Sequence, residues 1–101
     1  MSKNPNVVGT LYKHPSETFD VSVDFSNWLT TGDTVASGTV TCYQGTTDVS
    51  STLIGNVTDD DDDEVAFVLK AGTAGACYLI TVTAATAQSD VWVAEIYLIV
   101  N

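Results

Sequence analysis

The stretch Thr18-Phe19-Asp20-Val21-Ser22-Val23-Asp24-Phe25 decides the fold class. Phe19, Val21, Val23 and Phe25 alternate with Asp20, Ser22 and Asp24. That period of two is the mark of a strand with one dry face and one wet face. A helix would scatter the two phenylalanines and two valines around its axis, leaving no continuous apolar stripe.

Downstream, Ser26-Asn27-Trp28-Leu29 reads as a turn that tucks Trp28 over one end of a core, closed by Thr31-Gly32-Asp33. A second strand is expected from Thr34 to Tyr43. Ser37 and Gly38 interrupt its alternation, which fits an edge position or a bulge. Shorter β pieces follow around Thr46 to Val49 and Leu53 to Val57. Val65, Phe67 and Leu69 then oppose Ala66 and Val68 in a partly covered strand. After the glycine-bearing turn Ala71-Gly72-Thr73-Ala74-Gly75, the run Ala76 to Ala85 alternates Tyr78, Ile80 and Val82 with Leu79, Thr81 and Thr83. The last strand, Val91 to Val100, is apolar on both faces, as expected of a strand central in its sheet or covered from outside. About six to eight short strands with regular turn signals make an all-β, two-layer antiparallel sandwich. No segment offers a helical pattern of about ten residues, and no exact repeat suggests a solenoid.

Upstream, residues 1–12 read as a lead-in arm and 13–101 as the sandwich. Asn4-Pro5-Asn6 and Gly9 break regular structure there, while Val7, Val8, Leu11 and Tyr12 can pack on a neighbour or on the domain. The opening residues lack the apolar run of a signal peptide, so the expectation is synthesis in a host cytoplasm. The apolar run near Ile96 to Val100 is too short to span a bilayer.

The formal charge is −10, with 13 Asp and Glu against 3 Lys and no Arg. Such a chain cannot neutralise a phosphate backbone or an anionic membrane, so neither nucleic acid nor a membrane is an expected partner. The negative field keeps copies apart until a specific surface joins them. Six consecutive acids, Asp59 to Glu64, would repel one another along a strand and are assigned to a solvated loop.

Candidate chemistry is sparse. The one histidine, His14, lies between Lys13 and Pro15 and reads as solvated; no base stands in a recognisable relation to a serine, threonine or cysteine. No cofactor is implied. Within the acidic run, Asp59, Asp61 and Asp63 are the metal candidates, since calcium takes six to eight oxygens. Their uninterrupted spacing, without a glycine to turn the backbone, fits counterion condensation or a solubilising loop better. Trp28 and Trp92 could line a carbohydrate-binding face, but core packing is the commoner role of single tryptophans. Cys42 and Cys77 allow one bridge, whose loop of about 35 residues would be worth about 4 kcal/mol by chain entropy. Without an export signal, two reduced and buried thiols are expected.

Lys13-His-Pro-Ser-Glu17, Phe19 to Leu29, Gly32-Asp-Thr-Val-Ala-Ser37 and Gly72-Thr-Ala-Gly-Ala-Cys-Tyr78 with Ile80-Thr-Val-Thr83 occur in that order. In order and spacing the chain resembles the phage fibre-tail adaptor proteins, small components of bacteriophage virions. The resemblance covers about residues 13 to 83, with the last strand also in register. It implies an immunoglobulin-like sandwich in the virion that docks tail, connector or fibre components by protein–protein contacts, with copies associating in a ring. No catalytic set carries over. The Asp59 to Asp63 run departs from the pattern, as does Ala85 to Asp90, where an arginine-bearing hairpin is often found. On this reading, Val8, Leu11, Tyr12, Tyr97 and Ile99 are the candidate interface residues. The alternative is a carbohydrate- or calcium-dependent recognition module on the same fold.

Overall fold

The computed structural model describes residues 7–25, 29, 31–58 and 63–101, without the side chains of Val7 and Val8. Eight strands run in chain order: β1 (Val7–Lys13), β2 (Phe19–Asp24), β3 (Val35–Gln44), β4 (Thr47–Asp48), β5 (Ile54–Thr58), β6 (Glu64–Leu69), β7 (Cys77–Thr86) and β8 (Val91–Val100). A single helical turn, α1 (Ser50–Leu53), leads into β5. The strands form a five-stranded sheet, β1-β8-β7-β3-β4, and a three-stranded sheet, β2-β6-β5. All pairings are antiparallel except β1 with β8.

The alternation that defines β2 does what the sequence requires. Val23 and, just beyond the strand, Phe25 are buried, while Asp20, Ser22 and Asp24 are exposed. β6 sends Val65, Phe67 and Leu69 to the same inner face, and β7 answers with Tyr78, Ile80, Val82 and Ala84. Burying a Val, Leu, Ile or Phe fully is worth about 1.5–3 kcal/mol, so this shared inner layer dominates stability. Ser37 and Gly38 do mark a bulge: the β3–β7 register shifts between Val35 and Ser37. Gly38 also faces the other sheet, where an added methyl would lie 2.7 Å from Val65 Cγ1. The small residue lets the two layers approach.

Two expectations change. Val7 to Tyr12, read as part of an arm, belong to one continuous strand with Lys13, in register with β8 from Gly9↔Ile96 to Lys13↔Val100. The backbone of that segment finds its partner far along the chain. The cysteines are free, Cys42 buried as expected but Cys77 exposed. Cys77 precedes the inward series that starts at Tyr78, so the pleat turns it outward. The Trp28 end plug lies outside the described residues.

Candidate docking surface

β8 lies inside its sheet, between β1 and β7, which explains its two apolar faces only in part. Its inner residues Ala94, Ile96, Leu98 and Val100 are buried against the second sheet. Its outer residues face no other layer of the described chain. Registered neighbours across a sheet share a face, so the pairings build this outer surface row by row. One row is Tyr12–Ile99–Cys77; the next is Thr10–Tyr97–Leu79–Tyr43, ending at Asp48 on β4. Glu95–Thr81–Thr41 and Val93–Thr83–Thr39 follow. Tyr12 is 65% exposed, Tyr97 48% and Tyr43 38%. Apart from Asp48 at the margin, the first two rows carry no carboxylate or ammonium group. Three tyrosines with an isoleucine and a leucine supply large, stiff, amphipathic contact area, the kind enriched at protein interfaces.

Of the candidate interface residues, Tyr12, Tyr97 and Ile99 come together here. Leu11 lies on the opposite face, opposite Leu98 in register and packed against the core. The side chain of Val8 is outside the described residues. Tyr43, Leu79 and Cys77 complete the surface and were not singled out from sequence. Their common face depends on strand register, which the sequence does not display.

The residues that carry the sequence motifs tie the chain together internally. Lys13 is only 1% exposed, and its Nζ donates to the carbonyl oxygens of His14, Pro15 and Ala71. The His14 N–H donates to Glu17 Oε1 at 2.7 Å, and the Ser16 N–H to His14 Nδ1 at 3.2 Å. His14 is exposed but engaged in this local turn. Asp33 Oδ1 accepts from the N–H groups of Thr34 (2.8 Å) and Gln88 (3.0 Å), joining the turn before β3 to the β7–β8 hairpin. Burial pushes the Asp33 carboxyl up, but hydrogen bonds from the Thr86 side chain, Thr34 and Gln88 together hold it below the usual carboxylate range. Tyr78 Oη accepts from the Thr73 N–H at 2.9 Å. Gly72, at φ +100°, makes the turn that presents it.

At the other end of the sheet, Asp48 Oδ1 accepts from the Ser50 hydroxyl at 2.6 Å and its N–H at 2.9 Å, which lowers the carboxyl pKa. Ser50 Oγ accepts from the Cys42 N–H at 2.8 Å. Burial, with a smaller push from Asp48, raises the Cys42 thiol to about 11. That thiol is inert, whereas Cys77 lies open on the outer surface.

The outer face of the three-stranded sheet is chemically opposite. Asp20, Ser22 and Asp24 are exposed along β2, and Ser22 Oγ donates to Glu64 Oε1 at 2.8 Å. A shallow depression of about 230 Å³ lies between Asp20, Asn56, Thr58 and Val68. Among the described residues no three His, Cys, Asp or Glu side chains gather where they could hold a metal ion. Asp59 and Asp61 lie outside the described residues; the Asp63 carbonyl accepts from the Phe25 N–H at 2.8 Å. Trp92 registers with the buried Ala84 and packs against the core, so it forms no exposed carbohydrate platform.

No curated protein matches the chain. Residues 13–99 match the family described as podophage GP4 fiber-tail adaptor protein gp77. That span takes in the Lys13 turn, the Asp33 and Tyr78 ties, six of the eight strands in full and all of β8 but its last residue. The chain belongs to the podophage fibre-tail adaptor family and is a non-enzymatic structural protein of the phage virion.

Proposed function

We propose that this adaptor docks on another virion protein through the outer face of its five-stranded sheet, with Tyr12, Tyr43 and Tyr97 as anchors and Ile99 beside them. One observation carries the reading: the two rows that hold the tyrosines form an uncharged, aromatic surface on a chain of net charge −10. A chain so acidic has carboxylates to spare for solubility, and their scarcity in these rows, where only Asp48 stands at the margin, favours burial against a partner. Several copies docked around a ring of the partner would multiply a modest affinity per copy.

The domain itself is read as immunoglobulin-like. In that fold the second, fifth and fourth strands form one sheet and the third, sixth and seventh the other, with an added strand beside the third in variable-type domains. The orders β2-β6-β5 and β8-β7-β3-β4 follow that pattern if β1 is the first strand, moved beside the last. The Tyr78 hydrogen bond back to Thr73, at the start of β7, supports the same reading, since a tyrosine at that corner is a hallmark of the fold.

The test is incorporation of Tyr43→Asp/Tyr97→Asp into virions, with melting temperature followed in parallel. Interface anchors cost about 2 kcal/mol or more each when lost, or about thirtyfold in affinity. The double variant is expected to fold and to be absent from particles. Normal incorporation would overturn the proposal.

A further inference from the structure

Each sheet edge in this sandwich is a row of backbone groups able to pair with another chain, and proteins guard such edges with charge, brevity or bulges. Three of the four edges here are guarded. β4 has only two residues, one of them Asp48, and β3, which β4 covers only at Tyr43 and Gln44, shifts register further along between Val35 and Ser37. β2 carries the exposed Asp20 and Asp24. β5 loses register between Gly55 and Thr58, with Asn56 at φ +48°. The edge of β1 differs. It shifts register between Val7 and Gly9, but from Gly9 to Tyr12 it has no charge and no proline, and its register with β8 is regular.

The backbone direction along β1 follows from one bond. The Lys13 carbonyl accepts from the Asn101 N–H at 2.8 Å, so Lys13 turns its peptide groups toward β8. Successive residues of a strand alternate in this respect, so Leu11 and Gly9 also face β8, while Thr10 and Tyr12 present N–H and C=O to the open side. Among the described residues nothing pairs with them there. Beneath that edge, between β1 and β2, runs a groove of about 300 Å³ lined by Gly9, Leu11, Val21, Val23 and Ile96. Gly9 leaves open space where a side chain would otherwise project, with no atom within 4 Å of a Cβ built on it.

We infer that β1 accepts an added strand from a different virion protein: an extended segment apolar at alternate positions and flanked by Lys or Arg. It rests on the docking reading above and names how the partner engages. The added backbone would bond Thr10 and Tyr12. Its inward side chains would fill the groove, and its outward ones would extend the aromatic face beside Tyr12. Charge selects the occupant. A second copy brings another −10 to a chain that already carries −10, whereas a cationic strand is drawn to it.

The probe is the peptide Lys-Lys-Val-Thr-Val-Thr-Val-Lys-Lys, titrated into the isotope-labelled full chain and followed by amide signals and hydrogen exchange. Exchange at Thr10 and Tyr12 is expected to slow about tenfold or more at saturation, and a Glu-flanked version of the peptide to bind about tenfold more weakly. Thr10→Pro removes an outward N–H without touching the ladder to β8, a position where an edge strand tolerates proline. It should keep the melting temperature within a few degrees and abolish binding. If Thr10→Pro does not fold, the exchange pattern of the unsubstituted chain decides alone.

No binding at millimolar peptide, equal binding of the Glu-flanked peptide, protection at β2 or β4 instead, or undiminished binding by Thr10→Pro would each overturn the inference. So would a dimer in light scattering that Thr10→Pro abolishes, since the occupant would then be a second copy. Normal virion incorporation of Thr10→Pro alongside failure of Tyr43→Asp/Tyr97→Asp would overturn strand addition and leave face docking intact.

Discussion

The two outer faces of this sandwich obey the same alternation and have opposite chemistry. Across β2 and β6 the outward positions include Asp20, Asp24 and Glu64. Across β1, β8, β7 and β3 they include Tyr12, Tyr97, Ile99, Leu79 and Tyr43, with threonines beyond and Glu95 in the third row. A net charge spread evenly would put carboxylates among the tyrosines as well, but on that face Glu95 lies in the third row and Asp48 at the margin. Its uneven distribution gives the domain a direction: one outer face is acidic, and the other, largely uncharged, is the one proposed to meet a partner. In an adaptor, which must join two different things, such a difference between faces is more useful than a uniform surface.

The sharpest way to disturb the neutral face without touching it is through Lys13. Its ammonium group holds three carbonyls at the end of β1, the strand that carries Tyr12. Lys13→Met strands those acceptors, one of them on Ala71 in the β6–β7 turn. A loss of about 2 kcal/mol is expected, or about 8–16 °C in melting temperature for a domain of this size. Hydrogen exchange should place the loosening at β1 ahead of β2. An unchanged melting temperature would mean that the cost of burying the ammonium cancels its hydrogen bonds.

Cys77 offers a gentler probe. It is exposed beside Ile99 on the neutral face, while Cys42 is buried with its thiol raised to about 11. A maleimide should therefore label the native chain once. The adduct is expected to weaken docking about tenfold, the scale of one lost or blocked contact, and bound partner should protect Cys77 from labelling. Labelling at an undiminished rate in assembled particles would remove this face from the interface.

The smallest effect is expected on the acidic side. Asp20→Asn should change stability by less than about 0.5 kcal/mol, as for most exposed substitutions, and leave incorporation into virions unchanged. Loss of incorporation would show that the acidic face also contacts the particle, and the contrast between the faces would lose its meaning.

Much of the fold was legible because alternation is a local property. Phe19 to Phe25, Val65 to Leu69 and Tyr78 to Val82 each announce a dry face within a few residues, and those faces meet in the core. The proposed interface was legible only in part. Tyr97 and Ile99 could be read as outward from their phase within β8. Tyr12 and Leu11 are adjacent, and only the pairing of β1 with β8 says that the first faces out and the second in. Cys77 was misjudged by one step of the same alternation. Tyr43 and Leu79 gave no signal, because a tyrosine and a leucine in separate strands become neighbours only through register.

By itself, then, the sequence determined the all-β class, the core-facing residues, the strong acidity, and the motifs that mark the family. These follow from short-range periodicity and from composition. Tertiary structure decided which strand became an unguarded edge, that Lys13 would be buried among carbonyls, and that three tyrosines from three strands would share one open face. Those outcomes depend on pairings between residues far apart in the chain, of which β1 with β8 is the longest in reach. No local pattern specifies them, because the free energy that fixes register is gained only when the distant strands meet.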